Sequence, residues 1–364
     1  MLSAPTFSNY VARKYLFWCL MVTLVLAAIV LLLDFVELLR RAAGRDDAGF
    51  WLVFSMAIFK LPNMVQKIIP FAVLFGSMLA FWRLNRNHEL VVARAAGVSA
   101  WQFLMPVLVV AALIGGFKIT LFNPLSAAML RHYEQLEAKY IKGKSSLAAV
   151  SNEGMWLRQT IQDGNYVIHA QELSPRKMEL RRVIVFLFEG TDKFVARVDA
   201  PVAHLEKGFW QLENGRLTTP SGPARPVPIY KLETDITPEN IYDSFSAPET
   251  LSFWALPRFI SVLEKAGFSG LRHRLYWNSQ LAEPFLLCAM VLVAAAFSLK
   301  PVRSGGAGVL IAGGVGAGLI LYFLSDVVFA LGVSARIPIM LAAWSPATVT
   351  SLLGAAMVFH LEDG

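Results

Sequence analysis

The sequence predicts a polytopic α-helical membrane protein of about six spans with an inserted antiparallel, jelly-roll-like β domain on the extracytoplasmic side. Three observations carry that prediction. Hydrophobic residues make up 56% of the 364 and charged residues only 16%, more apolar surface than one soluble core can hide. Six separate apolar stretches approach or exceed the ~20 residues that cross a bilayer, grouped as three and three. Between the groups, residues 133–253 gain charge, lose the long apolar runs and alternate in short segments. An ordinary soluble enzyme, a disordered chain and a fibrous repeat are excluded together.

The first span covers residues 15–33, and because no small-residue cleavage site follows it, it reads as a retained span rather than a removed signal peptide. The second apolar region, 50–82, is interrupted by Lys60, Pro62, Asn63, Lys67 and Pro70. Proline removes a helical hydrogen bond, so this region predicts a kinked or interfacial entry followed by a span over about 65–82. The third span covers 101–122. Three more, at about 279–299, 308–331 and 337–359, close the chain, with Pro301 and Pro338 as punctuation. Three domains follow: a first membrane half over 1–132, a β domain over 133–253, and an interfacial helix with a second membrane half over 254–364.

Within the β domain, Asp163-Gly164 and Asn214-Gly215 read as tight hairpin turns, because both central positions of such turns need positive φ. A sandwich or jelly roll is expected. In 253–268, Trp254, Leu256, Phe259, Ile260 and Leu263 fall at helical spacing among charges, the pattern of an amphipathic helix lying at the membrane interface. Cys19 and Cys288 both sit inside apolar runs, which predicts packed or lipid-facing thiols rather than a disulfide or zinc site.

Orientation follows from basic residues in short loops. An inside N-terminus puts Arg13, Lys14, Arg83, Arg86, Arg94, Lys300 and Arg303 in the cytoplasm against Arg40, Arg41, Arg45 and Arg336 outside, and seven against four favours it. Both termini are then cytoplasmic and the β domain is extracytoplasmic. The net charge of +7 is a modest excess of the kind such loops carry, and it predicts no nucleic-acid partner.

The loop between the second and third spans is the most informative stretch. Asn87 suits a helix N-cap, Glu89 suits the positive end of the helix dipole, and Gly97 suits a C-terminal stop. Ser99 and Gln102 then make an S-x-x-Q capping box that starts the third span. A separate helix of about nine residues is predicted, with Val91, Ala95 and Val98 as its apolar stripe and Arg86, Glu89 and Arg94 open to a partner. It either packs on its own bundle or docks a cytoplasmic protein.

Ionisable groups at bilayer depth usually face a cavity or a partner. Lys60 and Lys67 lie in the outer part of the second region, Lys118 near the end of the third span, Glu283 in the fourth and Asp326 in the fifth, with Arg40 and Arg41 just beyond the first. Two readings stand for the basic ones: they snorkel to headgroups, or they ring a cavity and bind phosphates of an anionic lipid. Asp34 and Glu37 precede any base there, and Asp326 is expected to pair with a neighbouring helix. Gly308, Ala312 and Gly316, and Gly314 with Gly318, repeat at spacing four, the pattern of a close helix seam that is either static or able to open. Other motifs fail: Gly143-Lys144-Ser145 lacks the earlier glycine of a phosphate loop, His88-Glu89 is followed by no second histidine, and the glycines from Gly305 to Gly318 lie in a span rather than after a strand.

Three spans, a β domain and three spans, with the cytoplasmic segment Glu89-Leu90-Val91-Val92-Ala93-Arg94-Ala95-Ala96-Gly97-Val98-Ser99, resembles the lipopolysaccharide export permease family LptF/LptG over essentially the whole chain. That segment, and the stretch from Tyr276-Trp277 to Phe297, are more similar to its LptG branch than to LptF. The resemblance implies an ABC permease subunit, not an enzyme, that extracts lipopolysaccharide from the outer leaflet of a Gram-negative inner membrane and passes it to a periplasmic bridge. It implies that Arg86, Glu89, Leu90, Arg94 and Gly97 couple to an ATPase, with no cofactor held by this chain and ATP and Mg used by that partner. Implied too are lateral gates at the first and fifth spans, at Leu24, Ala27, Ala28 and Leu31 and at Gly308, Ala312 and Gly316. Phosphate contacts would come from Arg40, Arg41, Lys60 and Lys67. The implied partners are an LptF-like second permease, an LptB-like ATPase dimer, an LptC-like membrane protein, an LptA-like bridge, lipopolysaccharide and membrane lipids. A permease for another amphiphile, such as a lipoprotein or glycolipid, and a non-transporting scaffold remain alternatives.

Overall fold

The computed structural model describes residues 5–43, 49–142, 147–151, 154–161, 164–174, 179–189, 193–206, 208–220, 222–234, 247–265, 269–299 and 307–363. Arg45, Gly143-Lys144-Ser145, Asp163, Lys300, Pro301, Arg303 and Gly305 lie outside them. The chain divides into two compact units, one holding residues 1–133, 252–254 and 274–364, the other residues 134–251 and 255–273.

Six helices of the described chain are long and apolar enough to cross a membrane. Helix α1 runs Pro5–Ala42 and α2 Phe50–Arg86. A short helix α3, Glu89–Ala95, precedes α4, Ala100–Phe117, which continues through a π turn at Lys118–Phe122 into α5, Asn123–Leu136, and a second π turn at Glu137–Lys142. In the second half α7 is Leu271–Ser298, α8 Ala307–Val333 and α9 Ile339–Asp363, preceded by a shorter α6 at Leu256–Lys265.

The second region departs from its sequence reading. Pro62 and Pro70 lie inside one continuous 37-residue helix, not at the end of an interfacial entry. In hydrocarbon a broken helix leaves backbone groups without partners, so losing the single bond that proline removes costs less than leaving the helical path. The third span likewise runs on as one rod over Ala100–Ile141, so helix rather than β structure occupies the start of the 133–253 segment, and the first strand begins at Leu147.

The membrane unit is packed around one apolar centre. Leu74, Phe81 and Leu84 of α2 meet Phe103, Leu104 and Val107 of α4 and Leu287, Val291 and Ala294 of α7, with Tyr15 of α1 and Val358 of α9 closing it. Gly76 and Gly115 allow close approach to a neighbouring backbone, since a Cβ there would lie 2.7 Å from Cys19 Cα and 2.6 Å from Pro284 Cα. Both thiols are free, Cys19 buried and Cys288 half-buried, as expected of packed cysteines. Two ion pairs link the spans inside the bundle: Lys60 of α2 with Asp34 of α1, and Lys118 with Glu283 of α7. Removing one partner of such a buried pair strands a charge and costs ~3–5 kcal/mol.

Seven antiparallel strands form the sheet of the second unit: β1 Leu147–Ser151, β2 Gly154–Ile161, β3 Gly164–Ser174, β4 Glu179–Glu189, β5 Lys193–Glu206, β6 Phe209–Thr219 and β7 Gly222–Glu233. They pair strictly in chain order, a meander without the crossovers of a Greek-key sandwich. The sheet nevertheless rolls. Across a flat sheet β2 and β7 would stand ~24 Å apart, yet Thr234, just after β7, donates a 2.6 Å hydrogen bond to Gln159 of β2. Tyr166 of β3 donates to the same Gln159 oxygen, and Trp210, Ile168, Val185 and Leu212 fill the enclosed side. The Asn214-Gly215 pair makes no hairpin. Asn214 takes a positive φ of 54° inside β6, which pairs with both neighbours on either side of it, so the dipeptide forms a local irregularity within a continuing strand. Pro223, Pro226 and Pro228 all sit in β7, an edge strand where a missing donor is tolerated. Helix α6 turns its apolar stripe onto this unit: Leu256, Ile260 and Leu263 are buried, and Leu263 and Phe259 join the sheet's core, so the stripe read as membrane-facing is covered by protein except at Trp254, which is exposed.

Small residues fix α8 on α2. Side chains placed at Gly314 and Gly318 would collide with Met78 and Leu74, whereas Gly316 faces open space. Gly318→Leu should therefore lower thermal stability in detergent by ~1–3 kcal/mol through overpacking, and Gly316→Ala should leave it unchanged.

Candidate functional site

Helix α3 is a seven-residue rod held by local backbone chemistry at both ends. At its C-terminus Gly97 takes a φ of 83°, the left-handed geometry that glycine adopts without penalty. The Gly97 amide bonds the Arg94 carbonyl at 2.9 Å and the Val98 amide the Ala93 carbonyl at 3.0 Å, the paired bonds of a Schellman stop. Ser99 and Gln102 then exchange side-chain and backbone bonds of 3.2 Å each way, the capping box that starts α4. At the N-terminus the chain turns at His88, also left-handed with φ 59°. Asn87 is not the cap of α3; it ends α2 and gives its side-chain amide to Glu89 at 3.1 Å.

Which face of α3 is inside also differs from the sequence reading. Leu90 is buried and packs in the bundle centre with Val98 beside it, while Val91 and Val92 stand 56% and 67% exposed. Of the stripe over Val91, Ala95 and Val98 only Val98 packs inward, because the helix is too short for periodicity to set its face; the exits at His88 and Gly97 set it instead. Leu90, expected to touch a partner, is the anchor, and the outward surface is Val91, Val92 and the exposed Arg94. Arg86 is exposed with its guanidinium 5.3 Å from the Trp82 ring.

Glu89, expected to face a partner as well, is fastened to α1. Its Oε1 accepts from Lys14 Nζ at 2.8 Å and from the Tyr10 hydroxyl at 3.2 Å. Burial pushes this carboxyl up, but the hydrogen bonds from Lys14, Asn87 and Tyr10 outweigh it and hold the group below its ordinary value. The sequence does not single out Lys14 or Tyr10 as contacts. Their i, i+4 spacing puts them on one helix face, and nothing in the sequence says what that face meets.

The residues suggested as lipid phosphate contacts divide into three kinds. Lys60 is half-buried and paired with Asp34, with the Tyr133 ring 5.4 Å from its Nζ. Arg40 and Arg41 both bond Glu37 at 2.8 Å on the exposed end of α1, the kind of surface pairing that holds weakly and exchanges readily. Lys67 is exposed. Asp326 lies beside Tyr322, one turn earlier on the same helix.

Along α1 and α8, the suggested gate residues keep an open face. Only 6% and 11% of their most apolar stretches are buried, against 28–56% in the other four spans. Leu24, Ala28 and Ala312 are exposed, and Ala27, Leu31 and Gly316 are half-buried. Gly308 falls within α8 but outside the residues whose side chains are described.

A family model described as "Lipopolysaccharide export system permease LptF/LptG" matches residues 9–360. The chain is similar to the lipopolysaccharide export system permease protein LptG of Escherichia coli K12, 26% identical over 349 residues that cover 92% of each chain. It is similar to the LptG protein of Haemophilus influenzae at 23% identity over 377 residues, covering 98% of each.

A carboxyl with a lowered folded value binds its partners fully above the ordinary value and lets go as pH falls through the lowered one. Isotope-edited infrared spectra should therefore find Glu89 mostly ionised at pH 4.5, where an unpaired glutamate is half protonated.

Proposed function

The chain belongs to the lipopolysaccharide export permease LptF/LptG family, and from that premise we propose that it is the permease subunit of an ABC transporter. It takes lipopolysaccharide from the outer leaflet of a Gram-negative inner membrane and hands it to a periplasmic bridge. Both termini lie in the cytoplasm and the rolled β domain in the periplasm. This chain hydrolyses nothing; a cytoplasmic LptB-like ATPase dimer supplies the work from ATP and Mg. An LptF-like second permease, an LptC-like membrane protein and an LptA-like bridge complete the assembly.

The observation that carries this reading is α3, a rigidly capped helix that buries Leu90 and presents Val91, Val92 and Arg94. Two adjacent exposed valines on a short, fixed rod suit a groove in a motor protein, where burying each contributes ~1.5–3 kcal/mol. The bare faces of α1 and α8 support a sideways route, because an amphiphile with many acyl chains needs an opening along its length rather than a narrow pore. Exchangeable Arg40 and Arg41 and exposed Lys67 suit the lipid's phosphates.

Val92→Asp places a charge in that interface and should weaken co-purification of the ATPase at least tenfold, ~1.4 kcal/mol or more, without lowering the amount of folded permease. Photocrosslinkers at Ala28 and Ala312 should label lipopolysaccharide in living cells. Labelling of phospholipid alone, or of another glycolipid or a lipoprotein, would assign the chain a different cargo.

A further inference from the structure

The best-fastened polar group on α3, the Glu89 carboxylate, is held to α1, whereas Val91 and Val92 stand exposed. Three side chains from two segments converge on the single oxygen Oε1 of Glu89: Lys14 at 2.8 Å and Tyr10 at 3.2 Å from α1, and Asn87 at 3.1 Å from the end of α2. The Lys14 ammonium also sits 4.5 Å from the Tyr10 ring, so the two donors brace each other. Both charged side chains are about three-quarters shielded, at 26% and 25% exposure, where an ion pair is screened less than on an open surface. The other oxygen of Glu89, Oε2, is buried and has no hydrogen-bond partner among the described residues, so the carboxylate depends on the donors at Oε1. Leu90 beside it inserts into the core that also holds Val11 and Tyr15 of α1. A displacement of α3 cannot leave α1 behind without parting a shielded ion pair and opening that core.

We propose that Lys14, steadied by Tyr10, is a positioning residue that clamps Glu89 and so delivers movement of α3 directly to the first span, the helix with the least covered apolar face. The clamp runs from motor-facing helix to lipid-facing helix without passing through α2 or α4. It rests on the reading above that α3 receives a motor and α1 borders the lipid route. Lys14 then matters for how much transport each hydrolysis yields, not for whether the motor binds.

The test uses the whole transporter in proteoliposomes, with co-purified ATPase, ATP hydrolysis and lipopolysaccharide release measured on the same preparation. Lys14→Gln removes the charge and should leave ATPase recovery and hydrolysis within about two-fold, while lipopolysaccharide released per ATP falls about five-fold or more. Lys14→Arg restores a charged donor and should return the ratio to the wild-type value, which a merely structural defect would not predict. Tyr10→Phe, which keeps the ring and loses only the hydroxyl, should lower the ratio less than Lys14→Gln. An unchanged ratio in Lys14→Gln overturns the clamp. So does a parallel fall in motor recovery, hydrolysis and release, which would make Lys14 a docking residue. A wild-type complex that binds no ATPase or releases no lipopolysaccharide instead overturns the permease reading, and the clamp with it.

Discussion

Hydrocarbon offers a backbone no hydrogen-bond partners, and most of the membrane unit follows from that one constraint. It keeps α2 helical through two prolines and carries the third span unbroken through its first π turn. It governs charge equally: Lys60 and Lys118 are tolerated inside the bundle because Asp34 and Glu283 reach them from neighbouring helices. Those pairs tie α1 to α2 and the third span to α7, so groups that are costly to bury also fix which helices adjoin. Close contact is left to small residues, since apolar burial gives helices little reason to associate when lipid is equally apolar. Gly314 and Gly318 bring α8 onto α2 while the opposite face of α8 stays bare.

The rolled sheet solves a different problem, being formed from polar and apolar alternation. A seven-stranded meander has two edges, and here strands five places apart meet through Gln159, Tyr166 and Thr234. These three side chains are buried, and their bonds satisfy polar groups that would otherwise be stranded at the edge of the apolar filling. Helix α6 adds Phe259 and Leu263 to that filling, which explains why an amphipathic pattern of membrane type is covered by protein.

Features set by neighbours along the chain are legible in the amino-acid sequence. The Ser99–Gln102 box and the stop at Gly97 depend on residues within a few positions of one another and stand where the sequence puts them, and six apolar helices are present, although the second and third run longer than the spans read from the sequence. Features set by distant partners are not legible in the same way. Glu89 reads as an outward charge because Lys14 is 75 residues away, and Lys60 reads as a spare cation because Asp34 is 26 away. Asn214-Gly215 carries a real signal, positive φ, but whether such a pair ends a strand or kinks it depends on the strands alongside. On a seven-residue helix a single turn of register decides the buried face, and composition leaves Leu90 and Val91 nearly equivalent choices.

The two left-handed residues that bracket α3, His88 and Gly97, hold the rod from its flanks. Its pose is thus written into the hinges and the inward Leu90, leaving the lettering of the outer surface independent of the scaffold beneath. Residues such as Val91, Val92 and Arg94 form an exposed cassette that selection can rewrite without redesigning the six-helix frame. Strict requirements fall instead on the brackets: proline is barred at His88 by its fixed negative φ, and branched side chains are disfavoured at both ends. Divergence among such chains should accordingly gather on the rod's outer letters and spare its two punctuation marks.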